Sequence, residues 1–183
     1  MNPPITFRPV TEEDLPLLHA WHQRPHVAEW WQPVPSIDEL REDYLSEPVD
    51  PTVKPLDTPA DGVYYLACEN GVPFAYIQAY RVMGAHQASG WWADETDPHA
   101  LGIDQFIAEA DRLGKGLGTR MIRAFLDMLF SDPRVTKVQT DPNPTNGRAV
   151  ACYRKAGFRD VGVVDTPDGP ALLMRILRAD HQA

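Results

Sequence analysis

Two cysteines in 183 residues, Cys68 and Cys152, cannot build a disulfide framework or the four-ligand set that structural zinc usually demands. Both read as small buried hydrophobes. No apolar run approaches the roughly 20 residues needed to cross a bilayer, so no membrane partner is expected. Lys and Arg number 17 against 26 Asp and Glu, and the formal net charge of -9 works against nonspecific nucleic-acid binding, which rests on neutralising phosphates. A cationic ligand suits that balance better. The opening Met1-Asn2-Pro3-Pro4 runs into a strand-like ITFRPV without the basic and apolar regions of a signal peptide; a cytoplasmic location is the expectation. The histidines show no helical metal pair apart from His22 and His26, which straddle Pro25, and no metal is expected.

What is present is an ordinary globular composition, 43% hydrophobic and 23% charged, at a length suited to one domain over residues 1–183. Ile5 to Val10 reads as a strand, followed by a helix opened by Thr11-Glu12-Glu13-Asp14 and stopped at Arg24-Pro25. Ser36 opens a second helix through Leu45. Pro48, Pro51, Pro55 and Pro59 mark a long loop. VYYLACE and PFAYIQAYR are strand-like runs joined by Asn70-Gly71, a tight hairpin, and Ala100 to Ile107 is a further strand. From Leu117 to Phe130 apolar residues recur at helical spacing. Val135 to Thr140 is a strand, Asn146 to Ala156 a helix ending at Gly157, Phe158 to Asp165 a strand, and Ala171 to Leu177 the last. The order β-α-α-β-β-β-α-β-α-β-β predicts an α/β fold, a mixed sheet flanked by helices.

The chemistry concentrates in Leu113-Gly114-Lys115-Gly116-Leu117-Gly118-Thr119, a glycine-rich turn from strand to helix. Successive N–H groups at a positive helix end can hold phosphate. Lys115 is followed by Gly116 rather than Ser or Thr, which excludes a P-loop, and the spacing is not that of a dinucleotide fingerprint. About thirty residues on lies Asn146-Gly147-Arg148-Ala149-Val150-Ala151-Cys152-Tyr153-Arg154-Lys155-Ala156-Gly157-Phe158.

Together the two segments resemble the acetyl-CoA-binding core of the GNAT superfamily of N-acetyltransferases, whose Q/R-x-x-G-x-G/A turn precedes an N-x-x-A-x-x-x-Y-x-x-x-G-F helix. That resemblance implies a mostly antiparallel GNAT sheet and acetyl-CoA as cosubstrate. Leu113 departs from the usual Gln or Arg, at a place where backbone N–H groups make most contacts. EWW at Glu29 to Trp31, GWW at Gly90 to Trp92, ETDP, GIDQ, LGKGLGT, FSDPRVTK, QTDP, CYRKAGF and TPDGPA extend the likeness over most of the chain, to the aminoglycoside 6′-N-acetyltransferases. The implied activity is transfer of acetyl to an aminoglycoside 6′-amine, conferring resistance, by a monomer with a dimer left open.

By this resemblance Asp104 holds the acceptor ammonium and accepts its proton, and Tyr153 supplies the proton for the departing thiolate. Gly114, Lys115, Gly116, Leu117, Gly118 and Thr119 cradle the pyrophosphate, Asn146 meets the pantetheine arm, and the strand at Gln105, Phe106 and Ile107 pairs with its amides. A polycationic sugar calls for carboxylates with aromatic walls. Asp104 and Asp141 with Trp31 and Trp92 are the strongest candidates, and Asp168, Glu95 and Asp97 stand behind them. Ser89 replaces an aspartate that resistance enzymes of this type can carry. Siderophore acyltransferases share the tryptophan-rich half but usually carry a histidine before the turn, where this chain has Asp104. An acyltransferase for another amine, and a non-catalytic module binding acetyl-CoA or cations, are the alternative readings.

Overall fold

The computed structural model describes residues 3–45, 54–58 and 62–181. β1 (Ile5–Pro9) leads through a 3-10 turn at Glu12–Asp14 into α1 (Leu15–His22). The Asp14 carboxylate accepts the Thr11 N–H and hydroxyl, each at 2.9 Å, and two guanidinium bonds from Arg8 at 2.7 Å, so strand and helix start share one anchor. Pro25 does not end helical structure. α1 stops at His22, and Pro25 opens the single turn α2 (Pro25–Ala28) at a first-turn position, where its missing N–H forfeits no helical bond. α3 (Ile37–Leu45) begins as expected at Ser36, whose hydroxyl accepts the Glu39 N–H at 3.2 Å while Glu39 accepts the Ser36 N–H at 2.7 Å.

β2 (Gly62–Glu69) and β3 (Val72–Arg81) form the expected hairpin, with Asn70 and Gly71 at φ 51° and 78°. After a single turn, α4 (Ala85–Ala88), come β4 (Ala100–Ile107), α5 (Leu117–Phe130), β5 (Lys137–Thr140), α6 (Gly147–Ala156), β6 (Arg159–Thr166), β7 (Gly169–Leu177) and a last turn, α7 (Arg178–His181). β5 is shorter than the sequence suggests because the Val135 N–H bonds back to Asp132 and that of Thr136 to His99. β6 starts one residue late because the Phe158 N–H reaches back to the Tyr153 carbonyl, closing α6 around Gly157 at φ 114°.

The seven strands lie in the order β1-β2-β3-β4-β5-β7-β6, all antiparallel except the β4–β5 pair, which α5 connects. α5 and α6 cover one face, packing Met121, Phe125 and Val150 against Ile77, Ala79 and Ile103. α1 and α3 cover the other, where Leu18 and Leu40 meet Leu66, Tyr76 and Phe106. Alternate β3 residues thus serve opposite layers. Pro48, Pro51 and Pro59 of the expected loop lie outside the described residues. Pro55 sits in the described turn 54–58, where Asp57 accepts two guanidinium bonds from Arg134 at 2.7 and 2.6 Å.

One irregularity positions everything that follows. β4 and β5 pair only where Ala100 to Gly102 face Lys137 to Gln139. β4 continues to Ile107 bonded to β3, so among the described residues its other edge has no strand partner from Ile103 onward.

Candidate active site

The cleft at this parting, about 220 Å³, is floored by Gln105, Phe106 and Ile107 of β4 and walled by the glycine turn and α6. Gly114 and Gly116 hold φ of 72° and 80°, conformations that glycine adopts without steric cost. Gly116 caps α5 with no side-chain bond, leaving the first-turn N–H groups free of intrahelical partners at the positive end of a 14-residue helix. Gly118 has a different reason: a Cβ there would stand 3.1 Å from Cys152 Sγ, so it lets α5 and α6 approach. Thr119 and Asn146 also line the cleft. The Asn146 side chain does double duty as the cap of α6, accepting the Ala149 N–H at 3.1 Å. Lys115 is exposed and Leu117 buried in the core, and neither side chain lines the cleft.

Beyond the parting sits an acidic site. Asp104 faces Gln78 across β3–β4, and Gln78 Nε2 donates to Asp104 Oδ2 at 2.9 Å. Two register steps away, on the same face, Gly102 faces Tyr80, and the Tyr80 ring fills the space of a Gly102 side chain, bringing its hydroxyl into hydrogen-bond contact with Asp104. Asp141, just past β5, feels both Asp104 and Asp168 of the β6–β7 turn. Burial first, then the Asp104 charge, push its carboxyl up to about 8. These three expected carboxylates form one electrostatic cluster. Burial and then Asp104 drive the Tyr153 phenol well above its ordinary range, and its hydroxyl contacts the Thr140 and Gln105 side chains. Its ring packs edge-on to Phe158 at 5.3 Å, so it belongs to the core as well.

The aromatic candidates separate. Trp31 stands at the junction of cleft and acidic site, its ring 5.2 Å from Phe106 and 5.8 Å from Tyr76. Trp92 is a non-glycine residue at φ 55°, its carbonyl accepting the Glu95 N–H at 2.9 Å. The nearby Gly90 lies against Pro167, beside Asp168. Two of the acidic reserves are spent inside the fold. Glu95 is buried and accepts Lys137 Nζ at 2.7 Å and the N–H groups of Thr96 and Asp97, with Arg175 at 3.5 Å. Asp97 accepts the His99 N–H at 2.9 Å and the Thr136 hydroxyl at 2.5 Å. Both brace the start of β5.

Several site residues were not anticipated from the sequence. Gln78 and Tyr80 carried a signal, polar groups at every second position of an otherwise apolar strand, on the face opposite Ile77 and Ala79. Arg148 and Lys155, two helical turns apart on α6, bring cations to the cleft. His26 donates to the Ile107 carbonyl at 3.0 Å and ends the open edge; nothing in the local sequence pointed to it. Among the described residues no His, Cys, Asp or Glu cluster could hold a metal ion.

Residues 10–166 match the acetyltransferase (GNAT) domain family. The chain is 46% identical over 176 residues to an aminoglycoside N(6')-acetyltransferase type 1 from Klebsiella pneumoniae, covering 94% of this chain and 83% of that one. It is 26% identical over 170 residues to the lysine N-acyltransferase MbtK of Mycolicibacterium paratuberculosis, covering 91% and 70%. Its fold superimposes on the structure of AAC(6')-Ib in complex with ribostamycin and coenzyme A with a TM-score of 0.86 at 44% identity, covering 97% of this chain and 96% of that one.

Proposed function

The chain belongs to the GNAT acetyltransferases, and from that premise we propose that it transfers the acetyl group of acetyl-CoA to the 6′-amine of aminoglycosides, the chemistry by which such a protein confers resistance. The observation that carries the reading is the Asp104–Asp141–Asp168 cluster at the end of the open β4 edge. A rigid polycation matches three carboxylates, of which Asp141 is pushed up to about 8 by burial first and then by the Asp104 charge. The Klebsiella relative and the ribostamycin complex point to the same acceptor class.

The residues divide the work. Acetyl-CoA supplies a thioester carbonyl. The unpaired β4 backbone at Gln105 to Ile107 takes the amides of the pantetheine arm as a neighbouring strand would, and aims a backbone N–H at the thioester oxygen. The N–H groups of Gly114 through Thr119, assisted by the Arg148 and Lys155 side chains, hold the pyrophosphate, with the exposed Lys115 contributing its backbone N–H alone. Asn146 borders the arm. Asp104 orients the ammonium and receives its proton as the amine attacks. Tyr153, kept neutral by burial, donates to the leaving thiolate. Trp31 and Trp92 border the sugar rings. No step calls for a metal, a nucleic acid or a membrane, and a monomer holds every group named.

The test is thiol release from acetyl-CoA with kanamycin or tobramycin, beside an aminoglycoside bearing a 6′-hydroxyl. Rapid release with the 6′-amines alone is expected, and Asp104→Asn should lower turnover by about 10²-fold or more while leaving the acetyl-CoA KM in place. Equal silence with every aminoglycoside would refute the assignment.

A further inference from the structure

Asp104 is the outer end of a hydrogen-bonded chain that starts in the core. Tyr76 is wholly buried between the rings of Tyr44 and Phe106, at 5.2 and 5.4 Å. Its hydroxyl is bonded to that of Tyr44 and donates to Gln78 Oε1 at 2.6 Å. Gln78 Nε2 in turn donates to Asp104 Oδ2. A glutamine amide can be turned either way about its last bond, and the neighbour that cannot change decides which way. Tyr76, out of reach of water, has one proton to give, and since its oxygen can accept the Tyr44 hydroxyl, that proton goes to Gln78 Oε1. With Oε1 committed to it, only the N–H end can face Asp104.

We propose that Gln78 is a positioning residue for Asp104, set by Tyr76 so that it always presents a donor and thereby holds Asp104 as an oriented carboxylate. This rests on Asp104 being the group that receives the amine proton. Were the amide reversed, its carbonyl oxygen would face Asp104 and bond only to a protonated carboxyl. That choice matters because Asp104 sits among other acidic groups: its charge raises the carboxyl of Asp141 past β5, which also feels Asp168 on the β6–β7 turn. Tyr153 on α6, Tyr44 on α3 and Tyr76 on β3 lie within its field, and Tyr80 on β3 is hydrogen-bonded to it. Gln78 is the neutral donor among them that cannot lose its proton.

The experiment is the pH dependence of kcat/KM for kanamycin at saturating acetyl-CoA, in the wild type, Gln78→Leu, Tyr76→Phe and the double variant, with thermal melts to check folding. Gln78→Leu should move the acidic limb upward by about one pH unit, the size of one lost charge-assisted bond, with the acetyl-CoA KM unchanged. Tyr76→Phe, which keeps the ring, should move it the same way by less, and the double variant no further than Gln78→Leu. A limb that stays in place in folded Gln78→Leu, or shifts that simply add, would overturn the proposal; should Gln78→Leu not fold, an unmoved limb in Tyr76→Phe does so. Asp104→Asn separates the premises. Turnover retained in that variant removes Asp104 as proton acceptor and the positioning role with it, whereas turnover lost there beside an unmoved limb in Gln78→Leu removes the positioning role alone.

Discussion

Replacing Gly102 by alanine is expected to damage the site from behind without touching any substrate. The added methyl would lie 2.2 Å from Cε2, 2.3 Å from Cζ and 2.7 Å from the hydroxyl oxygen of Tyr80, where ordinary carbon contacts are about 3.5–4.0 Å. The ring must withdraw by about 1 Å or more, and it is buried, 6% exposed. Overpacking of this kind costs about 1–3 kcal/mol. For a chain of this size each kcal/mol is about 2–4 °C in Tm, so the melt should fall by about 2–12 °C. The Tyr80 hydroxyl would leave Asp104 at the same time, and a displacement of about 1 Å in such a constellation can lower turnover about 10²-fold. Thermal melting and thiol release measure the two effects. In a Tyr80→Ala background the alanine at 102 should cost almost nothing further, because the clash is gone. A Gly102→Ala enzyme with wild-type Tm and turnover would refute the idea that glycine here makes room for the ring that holds Asp104.

Three further outcomes are expected. Tyr153→Phe should lower kcat by about 10²-fold if the phenol protonates the thiolate, with only a small fall in Tm; unchanged kcat would leave the ring a packing role alone. Glu95→Gln should cost about 1–3 kcal/mol, since Lys137 would keep only the Asp97 carboxylate, at 3.8 Å, and should leave the aminoglycoside KM alone; a changed KM with an unchanged melt would return Glu95 to the acceptor site. The Asp141 carboxyl, raised to about 8 in the fold, keeps a proton that the unfolded chain has released. Its contribution to stability therefore falls as pH rises from about 4 toward 8. The ligand-free Tm should decline over that window, less steeply in Asp141→Asn, and a melt equally flat in both proteins would contradict the raised carboxyl.

The order of strands and helices was legible because each boundary is written in local chemistry: the Ser36–Glu39 box, Asn70-Gly71, Gly157. The pyrophosphate turn was legible for the same reason, since its glycines answer to backbone angles within one short segment. The fate of the acidic residues was not. Glu95 and Asp168 look alike along the chain, and only tertiary placement sends one to Lys137 and the other to the edge of the site. Tyr80 and Gln78 acquire their roles through pairing with Gly102 and Asp104 on the next strand, a register that no single strand encodes. Leu117 divides in the way the turn implies: its side chain goes into the core, and the backbone N–H is the group expected at the turn.

The parting of β4 from β5 has a consequence for how the enzyme handles its spent donor. An edge that grips the arm through main-chain bonds is nearly indifferent to what the sulfur carries, because the arm's own amides are common to the charged and the discharged molecule and only the N–H aimed at the thioester oxygen tells them apart. Such uniform attachment secures occupancy without favouring the reaction. Free coenzyme A should therefore compete with acetyl-CoA on nearly even terms, and flux in a cell would track the ratio of the two rather than the amount of either.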